Sequence, residues 1–230
     1  MAEYRLHHHP ASSHQQIAAL LRRLQRSPVL DVGAAGGFLG QLLQDSQLTI
    51  DAVEPTVHWA EQARPFYRQV FQSAIETAPL PDRAYQVIVC ADVLEHTADP
   101  GAVLRRLRRA ASDRAIFVIS LPNVAHLAVR FMLLTGRFPK MDRGILDKTH
   151  LHFYTRKTAQ ELLTAAGLRT REVAKTVVPL SEVWPSGAGG VMQSLMMRLQ
   201  QGAVRIAPRL FAYQWIFVAE SLPSETTEAV

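Results

Sequence analysis

The chain of 230 residues has little of what marks secreted or membrane-embedded proteins. Its one cysteine, Cys90, excludes an internal disulfide framework and fits a reducing compartment. No stretch approaches the length of a membrane span, and Met1 to His14 is polar and histidine-rich rather than signal-like, so a cytoplasmic location is expected. Internal repeats and low-complexity blocks are lacking, and only residues 223–230 read as a disordered tail. The net charge of +5 is modest. Its arginine runs, Arg22, Arg23 and Arg26 and then Arg105, Arg106, Arg108 and Arg109, fall in predicted helices, and the second run shares its helix with inward-facing Leu104 and Leu107. That is the pattern of a solvated face rather than of a nucleic-acid footprint.

What is present is apolar material in regular alternation. Hydrophobic residues make up 48% of the sequence, enough to bury the core of one domain over residues 1–222. Periodicity predicts strands at Val29–Val32, Thr49–Val53, Arg68–Phe71, Tyr85–Cys90, Ala115–Ser120, near Arg171–Val177 and at Phe211–Ala219. Between them it predicts helices through Leu24 (capped by Ser13 with Gln16), at Phe38–Leu43, Val57–Ala63, Ala102–Ala111, Val124–Leu134 and Thr158–Ala166. Repeated strand-helix alternation implies an α/β fold, a doubly wound and mostly parallel sheet with ligands at the carboxyl ends of its strands.

The stretch Val29 to Gly40, V-L-D-V-G-A-A-G-G-F-L-G, organises the rest. A short apolar strand ends in small residues and gives way to a helix whose unpaired N–H groups face the turn. A dinucleotide fingerprint counted from Gly33 would need glycine at Ala35 and Phe38, and it fails at both. Asp31 would repel a phosphate and better suits a ligand that also carries an ammonium group. Glu54 ends the second strand 23 residues after Asp31, near the spacing of an acid that accepts hydrogen bonds from ribose hydroxyls. An ordinary turn without a ligand is the competing reading of this stretch.

Asp31, Gly33 and Gly37, with Ala35 in place of a middle glycine, resemble the first motif of class I S-adenosylmethionine-dependent methyltransferases. The segment Pro79 to His96, a proline-rich loop leading into a strand and then Asp92-Val93-Leu94-Glu95-His96, is similar to the third and fourth motifs of the small-molecule members, including quinone-pathway O-methyltransferases. Leu121-Pro122-Asn123, Gly144-Ile145-Leu146-Asp147 and His150-Leu151-His152-Phe153-Tyr154-Thr155 resemble a bacterial subfamily often associated with cell-surface carbohydrate or secondary-metabolite pathways. The resemblance implies a Rossmann-like seven-stranded sheet whose last strand runs antiparallel; the insertions at about 122–157 and 179–208, where the chain departs from a minimal domain, are expected to form a helical lid. The resemblance also implies S-adenosylmethionine as cofactor, with Asp31 toward its methionine end, Gly33, Ala35 and Gly37 along its path, Glu54 on the ribose, main-chain groups of Ala74 and Ile75 at the adenine, and Asp92 beside them.

Three readings stand for the polar set after the fourth strand. Glu95 and His96 brace the loop, or supply a base, or join Asp92 in holding a divalent cation, and spacing alone assigns no metal. If the acceptor is a hydroxyl, His150 or His152 is the first candidate for general base, with His96 and Asp147 behind. The acceptor is expected to be a small molecule, a sugar or a lipid-linked compound. The place after strand four reads Cys90-Ala91-Asp92-Val93, not the Asn-or-Asp-Pro-Pro-aromatic motif of amino-methyltransferases that act on nucleic acid. Arg198, Arg205 and Arg209 beside a methionine-rich stripe leave a peripheral contact with an anionic membrane open. A non-catalytic protein that keeps the fold is the alternative from another class.

Overall fold

The computed structural model describes residues 12–178 and 190–222, the side chains of 190–195 excepted. Trp184, the glycines from Gly187 to Gly189, the side chains of Val191, Met192 and Leu195, and the tail 223–230 lie outside the described residues.

Seven strands form one sheet in the order β3-β2-β1-β4-β5-β7-β6. They are β1 Val29–Val32, β2 Ile50–Val53, β3 Gln69–Phe71, β4 Tyr85–Ala91, β5 Ala111–Pro122, β6 Leu168–Lys175 and β7 Gln214–Ser221. The first five strands in chain order pair in parallel, and β7 runs antiparallel to both β5 and β6. The helices that bear on the site are α1 Ser13–Leu24, α2 Phe38–Leu43, α3 Val57–Ala63, α4 Pro100–Ala110, α5 Leu127–Leu134 and α6 Arg156–Ala165. The fold class is the expected one.

Strand periodicity sorts the core into two layers. Val29, Ile50, Val87, Val89 and Val118 face Ile17, Leu21, Leu39 and Leu43 of α1 and α2. Leu30, Val32, Ile88, Cys90, Phe117 and Ile119 face Val103, Leu104 and Leu107 of α4 and Ala159 and Leu163 of α6. Both faces are covered, so the central strands read as nearly continuous apolar runs. Because β1 leads to β2 on one side and lies against β4 on the other, a crevice opens at the carboxyl ends of β1 and β4.

Local signals were read well where the chain keeps its own company. Asp99 caps α4 by accepting from the Ala102 N–H at 2.9 Å, and Pro100 occupies the first turn as expected. Gly167, at φ +75°, follows α6 and precedes β6. Two expectations need correction. The cap of α1 is Ser12, whose hydroxyl accepts from the Gln15 N–H, whereas the Ser13 hydroxyl donates to Asp92. The arginines of α4 do not simply face solvent: Arg106 donates to the Ala78 carbonyl, and Arg108 to the carbonyls of Ala166 and Leu222, tying α4 to neighbouring segments.

Candidate functional site

The turn after β1 has the backbone of a ligand cradle. Gly33 and Gly37 lie at φ +73° and +85°, in the left-handed region that favours glycine. A Cβ on Gly37 would stand 2.9 Å from the Ala63 backbone, and one on Gly33 2.6 Å from the Val93 side chain. Ala35 also adopts positive φ, at +46°. The alanine therefore follows the glycine-like path with some strain instead of abolishing it.

Asp31 and Glu54 end up 3% and 5% exposed at the carboxyl ends of β1 and β2. One Glu54 oxygen accepts from the Ala35 N–H and the other from the Thr56 N–H, both at 2.9 Å, so Glu54 bridges the turn to its own strand. Each oxygen keeps a further lone pair for a hydroxyl donor. The Tyr67 hydroxyl donates to Asp31 Oδ2 at 2.6 Å and accepts from the Gly40 N–H at 3.0 Å. Burial above all pushes the Asp31 carboxyl up to about 7; the Tyr67 hydrogen bond opposes that and the Glu54 charge adds to it. Around the expected adenine position, Ile75 is buried in the core, and the Ala74 carbonyl accepts from the N–H groups of Thr77 and Ala78.

Across the crevice, β4 ends at Ala91 and is followed by Asp92, an aspartate at φ +57°. Its backbone N–H donates to the Ser120 hydroxyl at 3.1 Å, that hydroxyl donates to Asp92 Oδ1 at 2.7 Å, and Ser13 donates to Oδ2 at 3.4 Å. Asp92 is thus engaged with β5 and α1. It stands outside the group of donors that forms next to it, where Glu95, His96 and His150 each offer an atom within 4.8 Å of the others. The expected trio of Asp92, Glu95 and His96 is regrouped, with a histidine from the 144–155 segment replacing the aspartate.

Glu95 is fully buried, and neither carboxylate oxygen has a hydrogen-bond partner among the described residues. Burial, with the Asp92 charge behind it, pushes its carboxyl well above the usual carboxylate range. Its backbone carbonyl accepts from the N–H groups of Leu151 and His152, which pins the later segment over the cluster. The rings of His96 and His150 meet edge to face, centroids 4.7 Å apart. His150 Nδ1 lies 3.1 Å from the Ile145 carbonyl, an acceptor only, so Nδ1 carries the proton and Nε2 keeps its lone pair. Burial, then the neighbouring His96, lowers the His150 pKa, which keeps the imidazole neutral at pH 7. His152 turns away, with Nε2 3.3 Å from the Ala98 carbonyl and its ring stacked on Tyr154. Of the sequence-predicted histidines, two converge and the third braces the loop. Tyr67 and Ser120 enter the site without any local signal in the sequence, and Ser13, expected as a helix cap, turns to Asp92 instead.

A family model described as a methyltransferase domain matches residues 3–173. The chain is 26% identical over 170 residues to a ubiquinone biosynthesis O-methyltransferase of Aeromonas salmonicida, covering 69% of this chain and 70% of that one. It is 28% identical over 183 residues to the protein of the same name from Azorhizobium caulinodans, covering 74% and 70%. Among solved structures, a SAM-dependent methyltransferase from Archaeoglobus fulgidus superposes with a TM-score of 0.61 at 18% identity, covering 91% of this chain and 95% of that one, a likeness of fold.

Proposed function

Because the chain belongs to the methyltransferase-domain family, we propose that it moves a methyl group from S-adenosylmethionine to an oxygen of a small-molecule, sugar or lipid-linked acceptor. One juxtaposition carries this reading. The glycine turn with Asp31 and Glu54 lies on one side of the crevice, and a neutral imidazole, His150, stands beside the buried Glu95 on the loop after the adjacent strand β4. Oxygen as the methylated atom is supported by the names of the two O-methyltransferase relatives.

In this reading Asp31 would take the ammonium end of the cofactor, Gly33, Ala35 and Gly37 would line its path, Glu54 would take the ribose, Ala74 and Ile75 would meet the adenine, and Asp92 would belong to the same site. The cofactor supplies an electrophilic methyl carbon on a positively charged sulfur. Transfer would join that carbon to the acceptor oxygen while the carbon–sulfur bond breaks with its electron pair left on sulfur. His150 Nε2 receives the hydroxyl proton, with His96 and Glu95 alongside. Most of the rate would come from in-line alignment and exclusion of water, to which the first insertion, residues 122–157, would contribute as a lid.

An apolar or lipid-linked acceptor is supported by the surface of the first insertion. Phe131 and Leu134 are 67% and 85% exposed, Leu127, Leu133, Phe138 and Met141 are exposed beside them, and Arg130, Arg137 and Lys140 lie in the same segment. Apolar side chains flanked by cations suit contact with an anionic lipid surface. No described helix is long and apolar enough to cross a membrane, and a cytoplasmic site of action accords with the buried lone cysteine.

A second reading has its own observation. A buried carboxyl without a partner is costly unless a proton or a cation neutralises it, and Glu95, His96 and His150 offer one carboxylate and two imidazole donors, a set that suits several divalent metals. The cation would then orient the acceptor oxygen.

The test begins with thermal unfolding in S-adenosylmethionine, S-adenosylhomocysteine and NAD, each well above its dissociation constant. A ligand at a hundredfold excess adds about 2.7 kcal/mol, a rise of roughly 5 to 10 °C. A shift with NAD alone overturns the proposal, and a shift with neither adenosyl ligand leaves the non-catalytic alternative standing. Methyl transfer to a panel of small-molecule, sugar and lipid-linked hydroxyl acceptors, assayed with EDTA and with added Mn²⁺, then separates the histidine-only route from the cation-assisted one.

A further inference from the structure

We propose that Tyr67 is a positioning residue for the cofactor: it holds one oxygen of Asp31 so that the other faces the ammonium group of S-adenosylmethionine. The inference rests on the cofactor reading above and adds to it a residue from a third segment of the chain.

The geometry is over-determined. Helix α2 begins at Gly37, a cap without a side chain, so its first-turn N–H groups need acceptors from elsewhere. The Gly40 N–H finds one in the Tyr67 hydroxyl, at 3.0 Å. A phenol that accepts there has its one proton to give in another direction, and it gives it to Asp31 Oδ2 at 2.6 Å. The slot exists because residue 40 is glycine: a Cβ there would stand 2.8 Å from Tyr67 Cζ and 2.9 Å from the Phe66 carbonyl oxygen. Tyr67 is itself buried and lies in the connection between α3 and β3. One hydroxyl thus joins β1, the first turn of α2 and the approach to β3.

The consequence for binding follows from charge. The groups facing Asp31 are the Tyr67 hydroxyl, Glu54 on β2 and the Cys90 thiol on β4. Burial and Glu54 favour the protonated acid, and the Tyr67 hydrogen bond is the influence that favours the anion. An ammonium ligand needs that anion. Below about pH 7, binding of such a ligand must therefore release a proton from Asp31, and loss of the Tyr67 hydroxyl makes that release harder.

The experiment is calorimetric titration of wild type and Tyr67→Phe from pH 6 to 9 with two probes. S-adenosylhomocysteine carries the amino-acid tail, and 5′-methylthioadenosine lacks it. The expected result at pH 7 is roughly tenfold weaker S-adenosylhomocysteine binding in the variant, the scale of one hydrogen bond to a charged group. The acid limb of its affinity profile moves toward higher pH, and methylthioadenosine affinity stays unchanged. Equal weakening of both probes marks a merely structural role and overturns the inference, as does unchanged S-adenosylhomocysteine affinity. Should the variant not fold, wild type decides alone. Titrations at pH 6 in two buffers of different ionisation enthalpy should show proton release with S-adenosylhomocysteine and none with methylthioadenosine, and equal values for the two overturn the inference. Failure of wild type to bind either probe is a different outcome: it removes the cofactor reading itself, and this inference with it.

Discussion

Gly37 and Ala35 sit two residues apart in one turn, both at positive φ, and should respond to substitution very unequally. In Gly37→Ala the new Cβ meets the Ala63 Cα and Phe66 Cδ2, both at 2.9 Å, and one of these atoms is backbone. The left-handed conformation costs an L-residue about 1–2 kcal/mol, and overpacking against atoms that cannot turn aside costs about 1–3 more. The expected loss is roughly 2–5 kcal/mol. At this chain length each kcal/mol moves the midpoint by about 2–4 °C, so Tm should fall by on the order of 5–15 °C. Ala35→Gly relieves a strain already present at φ +46° and returns part of that gain to the unfolded chain, whose entropy rises by about 0.4–1 kcal/mol. The net change should stay within about 1 kcal/mol of zero. Urea denaturation followed by circular dichroism, with m-values compared to exclude a changed denatured state, reads both. A Gly37→Ala loss below about 1 kcal/mol, or an Ala35→Gly loss above about 2, would refute the argument that the turn has this backbone and that Ala35 imitates glycine within it.

Three further outcomes follow from buried polar groups. Cys90 is fully buried, and burial, with Asp31 and Glu95 nearby, pushes its thiol well up, so Ellman's reagent should react only under denaturing conditions. Tyr85→Phe removes the 2.9 Å hydrogen bond to Asp51 Oδ2 while the Arg68 guanidinium still holds that carboxylate, and urea titration should register a loss of roughly 1–2 kcal/mol. Ligand-free protein keeps a proton on Asp31 that the unfolded chain gives up above about pH 4, so stability should fall as pH rises from about 4 to about 7. Asp31→Asn should flatten that slope by up to about 1.4 kcal/mol per pH unit.

The sequence was legible where structure is local. Val29–Val32, Phe38–Leu43 and Val57–Ala63 have the predicted bounds because period and turn chemistry act over a few residues. It misled where a distant partner decides. Ser13 looked like the helix cap, yet its hydroxyl goes to Asp92, 79 residues away, and Ser12 caps instead. Helix α5 begins at Leu127 and not Val124, because the Asn123 amide is held by the Ala212 carbonyl and its oxygen accepts from the Ala125 N–H, closing a turn first. Asp31 was read as a binding acid from its motif, whereas Tyr67, 36 residues on, carried no signal at all. His96 and His150 were both candidates, but only the fold brings their rings together over Glu95.

These two kinds of legibility divide the site by its physics. The proposed cofactor side comes from β1, α2 and β2, close neighbours in sequence, and an added methyl group is excluded at Gly33 by the Val93 side chain, at Gly37 by Ala63 and Phe66, and at Gly40 by Phe66 and Tyr67. Such a surface admits few sequences, and a short motif suffices to announce it. The proposed acceptor side hangs on a small separate cluster, Val129, Ile145 and Leu146, together with the hydrogen bonds of Leu151 and His152 to the Glu95 carbonyl. Those anchors are apolar packing and backbone, which many side chains satisfy equally. Exposed positions between them, from Leu127 to Phe153, therefore change without disturbing either layer of the main core, and the rigid half constrains acceptor choice only through where it presents the methyl group. It follows that substitutions within 127–153 should redirect acceptor preference with little change in cofactor affinity. Substitutions in the turn after β1 should do the reverse.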